Sequence, residues 1–385
     1  MIESSAIEGS AGCDCESSRR TSERRTSLRN VRLIVVLLIF CGIGRDEASR
    51  AEDVTPDKSE QSVPVMLRAL QAAEKSLPLL DGALTITDDQ TIVILGGTNA
   101  METQRDGYLE TLIAGGHPQY QLRFRNLAWQ ADTVYRQQRP RNFFQDGFDQ
   151  LNDDRDHRQR VVAHTILLWM GQSESQEGES QLDRFSKAYA ELVRQLLKIT
   201  PRVVLVTPVP FEDPLNIGLD VRGRNNGLAS YVASIKRIAQ ANKLPVVDLF
   251  GQLGEPEDRS ALTRNGQHLS KQGHWLAARQ IAKRFESSMD LTHIKPQWPA
   301  GTLSLQEAEN LRQRVTEKDN LWMQYYRPTN WAFLYGNRQF VPSSRDHRNL
   351  GQRWFPDEVE SLVPIIEQAE SEIYKSTAEL SAQNN

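Results

Sequence analysis

The chain has 385 residues, of which 39% are hydrophobic and 25% charged, and its formal net charge is −4. This composition is ordinary for a globular protein, and the length suits one large α/β domain with an appendage, or two domains. A slightly acidic chain lacks the basic surface on which general nucleic-acid binding depends, so we expect no nucleic-acid partner.

The first 51 residues have the features of an export signal behind a polar leader. Leu33–Ile43 is an 11-residue apolar run that follows Arg32. Such a run suits a signal peptide and is too short to span a membrane comfortably. Ser49 and Ala51 supply the small residues of a cleavage site, so we predict cleavage after about Ala51 and export to the periplasm, the cell envelope or the exterior. An uncleaved membrane anchor is the alternative.

All cysteines lie in this N-terminal segment. Cys13, Cys15 and Cys41 precede Ala51, so the mature chain would have no disulfide, no thiolate nucleophile and no cysteine metal site. The histidines of the mature chain show no ligand spacing with carboxylates. We therefore expect neither a metal nor a cofactor.

The sequence predicts four consecutive regions. Residues 1–51 form the signal and leader, and residues 52–84 a polar linker. The linker contains a short amphipathic helix within Pro64–Ser76, because its apolar residues recur at helical spacing. Residues 85–290 form the main domain, and residues 291–385 an extension of different character.

In the main domain, apolar strand patterns alternate with helical ones. Strands are predicted at Thr91–Leu95, Gln121–Leu127, Ala163–Met170, Val203–Val206 and Val246–Leu249. Helices are predicted at Met101–Ala114, Leu182–Ile199, Leu228–Ala241 and Lys271–Phe285. This alternation is typical of a parallel sheet with helices on both faces, and right-handed crossovers make the sheet doubly wound.

The extension is rich in aromatic residues and arginine. Helices are predicted at Leu303–Tyr326 and Asp357–Leu380, with an irregular stretch between them. Its aromatic faces and planar polar groups suit sugar rings, whereas packing of arginine against aromatic side chains on the main domain is the alternative explanation and the more common one. The polar loop Arg136–Arg160 is long, and loops of this length at the ligand-binding edge of a sheet are often functional. A solvated surface loop without a function is the alternative.

Turns with polar side chains follow the predicted strands at the edge where ligands bind in open α/β sheets. These turns are Gly96-Gly97-Thr98, Asn126-Leu127-Ala128-Trp129, Gly171-Gln172-Ser173-Glu174 and Asn265-Gly266-Gln267-His268. Acyl transfer needs a hydroxyl nucleophile, a base and N–H donors for the oxyanion. Thr98 would be the nucleophile and His268 the base. A plain glycine turn and a loop histidine without a role are the alternatives. A phosphate site is disfavoured, because no P-loop lysine follows.

In order and spacing these turns resemble the sequence blocks of the SGNH (GDSL-like) hydrolases, a family of serine esterases with a flavodoxin-like three-layer α/β/α fold. The resemblance covers roughly Thr91–Phe285. The family's Gly-Asp-Ser block looks like Gly96-Gly97-Thr98, and its Asn-Leu-Gly block looks like Asn126-Leu127-Ala128. Its Gly-x-Asn-Asp/Glu block looks like Gly171-Gln172-Ser173-Glu174, and its Asp-x-x-His block looks like Asn265-Gly266-Gln267-His268.

The resemblance implies a role for each matching position. Thr98 would be the nucleophile and His268 the base, while Asn265 takes the place of the aspartate that orients the histidine. The oxyanion and substrate-binding residues would be Gly97, Asn126, Ala128, Gly171, Ser173 and Glu174.

Several catalytic positions depart from the family. Thr98 keeps the hydroxyl but adds a methyl group that restricts χ1. Ala128 replaces a glycine and Ser173 replaces an asparagine, which weakens the expected oxyanion hole. Asn265 lacks the negative charge that orients the histidine and stabilises its imidazolium form. The Glu174 carboxylate could act as a base or bind a cation. The alternative is that it is a negative charge at a helix N-terminus, where the helix dipole favours it.

The sequence therefore leads to one hypothesis and one rival. The protein is an exported hydrolase of an ester bond, with an O-acyl group on a carbohydrate or another small-molecule ester as its substrate. The rival is a catalytically inactive scaffold of the same fold that binds a glycan or a partner protein.

Overall fold

The computed structural model describes residues 70–74, 84–137, 161–254, 262–329, 331–334, 338 and 340–384, except for the side chains of residues 331 and 384. All of them fall within the compact unit Glu60–Asn385. The predicted signal and leader, and most of the predicted 136–160 loop, lie outside the described residues.

A parallel sheet forms the centre of the molecule. The strands are β1 (Leu70–Ala72), β2 (Thr91–Gly96), β3 (Arg123–Asn126), β4 (Val161–Ala163), β5 (Thr165–Trp169), β6 (Val203–Val206), β7 (Val246–Val247), β8 (Pro296–Gln297) and β9 (Thr302–Leu303). Five of them form the central sheet in the order β3-β2-β5-β6-β7, and every neighbouring pair is parallel. This confirms the predicted α/β fold class, with β2 in the interior of the sheet.

Helices cover both faces of this sheet. They are α1 (Thr98–Asp106), α2 (Tyr108–Gly115), α3 (Leu182–Leu196), α4 (Val221–Asn242), α5 (Leu249–Gln252), α6 (Lys271–Ala282), α7 (Gln306–Tyr326), α8 (Trp331–Leu334), α9 (Trp354–Glu360) and α10 (Leu362–Asn384). Because side chains alternate along a strand, Ile92 and Ile94 enter the core beneath α2 and α6, whereas Val93 and Leu95 enter the core beneath α3 and α4. None of the described helices is both long and apolar enough to cross a membrane.

The predicted linker helix is wrong where the structure describes it. Leu70–Ala72 is a strand that pairs in parallel with Val161–Ala163, while the remainder of Pro64–Ser76 is largely outside the described residues. Helical spacing of three apolar residues is a weak local signal, and a distant strand partner overrides it.

Element boundaries also differ from the predictions. The helix predicted at Met101–Ala114 is two helices, because Gly107 adopts φ +67° and ends α1. The strand predicted at Ala163–Met170 is divided at His164 into β4 and β5. In the extension, α7 begins later than predicted and the last predicted helix is divided into α9 and α10.

The described part of the extension packs on the main domain through buried charges. Helix α7 lies against α1, α2 and α10. Its Lys318, only 1% exposed, lies 2.6 Å from Glu110 of α2 and 2.7 Å from its neighbour Asp319. Arg125 of β3 lies 2.6 Å from Glu370 of α10. These ion pairs join the extension to the sheet and to its helical layer.

Candidate active site

The turn between β2 and α1 places Thr98 at the beginning of a helix. Gly96 is required there, because a Cβ atom would collide with the carbonyl oxygen of Trp169 on β5. Gly97 is the N-cap residue, and its carbonyl oxygen accepts the first helical bond from Met101 N. The N–H group of Thr98 is therefore left without a partner inside the helix, at the end that favours negative charge. Its hydroxyl forms no hydrogen bond to any described residue.

Thr98 and His268 line the same pocket, which has about 350 Å³ of empty space including its open mouth. Of the other predicted site residues, Gly97, Gly171, Ser173 and Glu174 also line it. The remaining lining residues are Asn99, Ala100, Asp132, Trp169, Met170, Gln172 and Gln267. No residue from the described part of the extension does so. In the part of the chain that the structure describes, no group of three His, Cys, Asp or Glu is placed to hold a metal ion.

The predicted oxyanion residues Asn126 and Ala128 do not line this pocket. The Asn126 amide donates to the carbonyl oxygen of Ala100 at 2.9 Å, and its Oδ1 accepts from the N–H of Ala128 at 3.1 Å. Ala128 is fully buried, so its N–H is used within the turn. The extension reaches this turn from outside, where Arg327 donates to the Ala128 carbonyl oxygen at 3.0 Å and stacks on Trp129.

Glu174 holds two backbone segments together. Its Oε1 accepts from Val134 N at 2.8 Å, and its Oε2 accepts from Gly171 N at 3.0 Å. Burial raises the pKa of this carboxyl, while the backbone donors act in the opposite direction. Gly171 has φ +116°, a conformation that suits glycine. In the same turn Ser173 has a hydroxyl with no hydrogen bond to a described residue, which leaves it available to a ligand.

Asn265 lies beside His268 in a tight turn. Its Oδ1 accepts from the N–H groups of His268 at 2.8 Å and Gln267 at 3.3 Å. Those two donors fix the orientation of the amide, so its Nδ2 is the group that lies 3.3 Å from His268 Nδ1. An amide nitrogen only donates, and Nδ1 must therefore be the acceptor.

This contact has a direct consequence for proton transfer. A neutral imidazole that accepts at Nδ1 carries its proton on Nε2. A general base for Thr98 needs the opposite tautomer, with Nε2 unprotonated. Asn265 therefore favours the tautomer in which Nε2 of His268 carries a proton and cannot accept another. Burial of the ring, reinforced by the charge of Arg264, lowers the pKa of His268 and so favours the neutral ring.

Sequence reasoning missed Asn99, which joins three of the turns. Its Oδ1 accepts from Leu269 N at 2.9 Å, and its amide donates to Gln172 Oε1 at 2.8 Å and to the Gln267 carbonyl oxygen at 3.1 Å. It is almost fully buried. In the sequence, only its position directly after the candidate nucleophile marks Asn99 as a site residue. Hydrogen bonds to residues far along the chain leave no periodic pattern from which they could be predicted.

Comparison with known proteins supports the fold. No family model matches the chain, and neither does any curated protein. A gut microbial diltiazem-metabolizing enzyme is similar in structure, with a TM-score of 0.52 and 11% identity over 76% of this chain and 96% of that chain. The two chains share a fold.

Two esterase structures are more distant. An acetyl xylan esterase matches with a TM-score of 0.36 and 19% identity over 50% of this chain and 98% of its own. A catalytic mutant of an acetylxylan esterase from Geobacillus stearothermophilus matches with a TM-score of 0.39 and 15% identity over 52% of this chain and 96% of its own. At TM-scores below 0.5, these two likenesses say nothing further about the fold or the activity of this chain.

Proposed function

We propose that this protein is an exported ester hydrolase of the SGNH type. The observation that carries the proposal is the shared pocket, which is lined both by Thr98, at a helix N-terminus, and by His268. Nucleophilic acyl transfer requires such a hydroxyl and base together with donors for the oxyanion. Thr98 N–H and the Ser173 hydroxyl are the donors in this proposal, in place of Ala128.

The proposed reaction has two steps. Thr98 Oγ attacks the acyl carbon while its proton passes to His268, and the oxyanion forms opposite the donors. His268 then returns the proton to the departing alkoxide, which leaves an acyl-threonine. Water, activated by the same histidine, releases the acid and restores Thr98. The proton transfer needs the less favoured tautomer of His268, so we expect slow turnover.

A carbohydrate O-acyl ester is the proposed substrate. Export would place the protein where polysaccharides occur. The described part of the extension exposes Trp298 and Trp354, which lie outside the pocket lining and whose faces suit sugar rings. A small-molecule ester is the wider class.

A second function is favoured by one observation, the orientation of the Asn265 amide towards His268 Nδ1. If that contact blocks proton transfer completely, the pocket binds a ligand without cleaving it. A glycan or a partner protein is the ligand in that case, and no cofactor is involved.

Substitutions at Thr98 test the hydrolase. Purified protein beginning at Glu52 is expected to hydrolyse p-nitrophenyl acetate slowly, and Thr98→Ala to reduce the rate to that of buffer. Thr98→Ser is expected to raise it about tenfold or more, because the crowding methyl group is lost, and tenfold corresponds to about 1.4 kcal/mol of barrier. Initial rates with equal amounts of folded protein give the measurement.

The matched control is Thr316→Ala. The Thr316 hydroxyl, on α7, donates to a carbonyl oxygen of its own helix, so this variant is expected to keep the wild-type rate. A Thr98→Ala protein that hydrolyses the ester as fast as wild type would show that Thr98 is not the nucleophile.

Export has its own test. The mature protein from the native host is expected to begin near Glu52, because the apolar run is short and the residues at positions 49 and 51 are small. N-terminal sequencing provides the measurement, and retention of residues 1–40 would replace the cleaved signal with a membrane anchor.

A further inference from the structure

Glu102 is a buried carboxylate on the helix that begins at Thr98. It lies four residues later and therefore on the same side of α1, about 6 Å along the axis at 1.5 Å per residue. The residue is 1% exposed. Arg264 donates to both of its oxygens, from Nη1 to Oε2 at 2.8 Å and from Nη2 to Oε1 at 2.9 Å. Planar guanidinium and carboxylate groups bonded in this way hold each other in one orientation.

Arg264 is also bonded to the far side of the turn that carries His268. Its backbone N–H donates to the His268 carbonyl oxygen at 2.8 Å, and its Nη1 donates to the Leu269 carbonyl oxygen at 3.2 Å. Arg264, just before the turn Asn265–His268, is thus bonded to the two residues at which the turn ends, His268 and Leu269. The other end of its side chain is fixed to Glu102.

We propose that Glu102 and Arg264 are positioning residues, which dock the His268 turn on the helix that carries Thr98. Helix α1 then carries the Thr98 hydroxyl at its first residue and, about one turn later, Glu102, which holds the His268 turn in place through Arg264. The assignment rests on the proposed function, because it treats Thr98 and His268 as partners. Neither Glu102 nor Arg264 lines the pocket.

The charge of the pair is maintained over the whole physiological range. Burial by itself raises the pKa of Glu102, but His274, Arg264 and Arg105 around it lower the pKa to about 2. His274 lies 3.8 Å from Glu102 Oε2, and its ring nitrogens have no hydrogen-bond partner among the described residues. The Glu102 carboxylate is therefore ionised at pH 7.

The chain offers a matched control for the role of Arg264. Arg105 donates to the same carboxylate at 2.8 Å, from the same helix as Glu102. Its side chain is 59% exposed and that of Arg264 is 45% exposed, so the two arginines are similarly solvated. Only Arg264 contacts the His268 turn. Arg264 bonds both oxygens of Glu102 and Arg105 bonds one, so Arg264→Lys, which keeps the charge and loses the two-point contact, is measured beside Arg105→Gln.

The first experiment follows the His268 ring by NMR in the protein beginning at Glu52, with histidine labelled with ¹⁵N and the signal assigned through His268→Gln. Arg264→Gln is expected to change both ring nitrogen shifts and to move the titration midpoint upward, because a nearby positive charge that opposes protonation is lost. Arg105→Gln is expected to leave the shifts and the midpoint as in wild type. This readout does not depend on catalysis.

The second experiment measures p-nitrophenyl acetate kinetics with the same variants. Arg264→Gln is expected to lower kcat about tenfold or more with KM within twofold, because misplacing the base affects the transition state and leaves substrate binding unchanged. Arg264→Lys keeps the charge but loses the bidentate contact, so its titration midpoint should resemble wild type while its ring shifts change and its kcat stays low.

The outcomes separate this inference from the proposed hydrolase. If wild-type protein hydrolyses nothing while Arg264→Lys, which keeps the charge, still changes the His268 ring shifts, the hydrolase fails and the docking of the turn stands. If folded Arg264→Gln and Arg105→Gln have the same His268 signals as wild type, the positioning role is overturned. Should Arg264→Gln not fold, unchanged ring shifts and unchanged kcat in Arg264→Lys would overturn it equally.

Discussion

Replacing Asn265 with aspartate should raise the rate of ester hydrolysis by about 10³- to 10⁴-fold. A carboxylate accepts a hydrogen bond from Nδ1–H, whereas the present amide donates one to Nδ1. The substitution therefore favours the tautomer in which Nε2 of His268 is unprotonated and able to act as the base. In a serine protease, the reverse change at the corresponding position costs about 10⁴-fold in kcat. The measurement is kcat for p-nitrophenyl acetate in the protein beginning at Glu52.

The gain must depend on His268, because the carboxylate acts through the imidazole. Asn265→Asp combined with His268→Gln is therefore expected to show no gain, and the gains of Asn265→Asp and Thr98→Ser should not be additive. Asn242→Asp, at an exposed amide on α4, is the matched control and should leave the rate unchanged. If neither Asn265→Asp nor its combination with Thr98→Ser exceeds the buffer rate, the hydrolase proposal fails, and titration with acetylated oligosaccharides then tests whether the pocket binds a glycan.

Replacing Lys318 with methionine should lower the free energy of unfolding by about 3–5 kcal/mol at pH 7, the usual cost of removing one partner from a buried ion pair. Glu110 and Asp319 would remain buried without their cation, although burial already raises the pKa of Glu110 to about 7. Denaturant titration of the protein beginning at Glu52 measures the change. A loss of less than about 1 kcal/mol would show that protonation of the carboxyls or entry of water compensates for the lost cation.

The cost should shrink in acid. In the variant, the pKa values of both carboxyls in the folded state lie above their unfolded values, so the folded state is favoured when they are protonated and is penalised as pH rises through the raised values. The difference from wild type should therefore be smaller at pH 5 than at pH 8. The matched control is Lys375→Met, which removes a 64% exposed partner of Glu372 and should cost less than about 1 kcal/mol.

The sequence by itself determined the central sheet and the edge at which the pocket forms. Thr91–Gly96 and Thr165–Trp169 are continuous apolar runs, which is the pattern of strands buried on both faces. In a parallel sheet all such strands end at one edge, which places the turns after β2 and β5 side by side. His268 follows α5 and not a strand, and the turn after β3 does not line the pocket, so the pairing of Thr98 with His268 was expected from the order of the sequence blocks and not from the strand pattern alone.

Only the tertiary structure decided what each polar side chain does there. Asn126 has the residue type of a substrate-binding group, yet its amide holds the Ala128 turn to α1. The donor that Asn265 presents to His268 depends on which way its amide is turned, and two backbone N–H groups settle that. Hydrogen bonds between distant residues follow from the packed geometry and leave no period in the sequence.

The extension shows the same division. Its helical spacing and its aromatic and arginine content were visible in the sequence, whereas its partners were not. From the sequence alone, Lys318 is expected on the exposed face of an amphipathic helix. In the structure it is buried against Glu110 of α2. Strand β1 forms because Val161–Ala163 pairs with it across a long stretch of chain. Burial of a charge or pairing of a short strand is a property of two segments in contact, so neither segment specifies it alone.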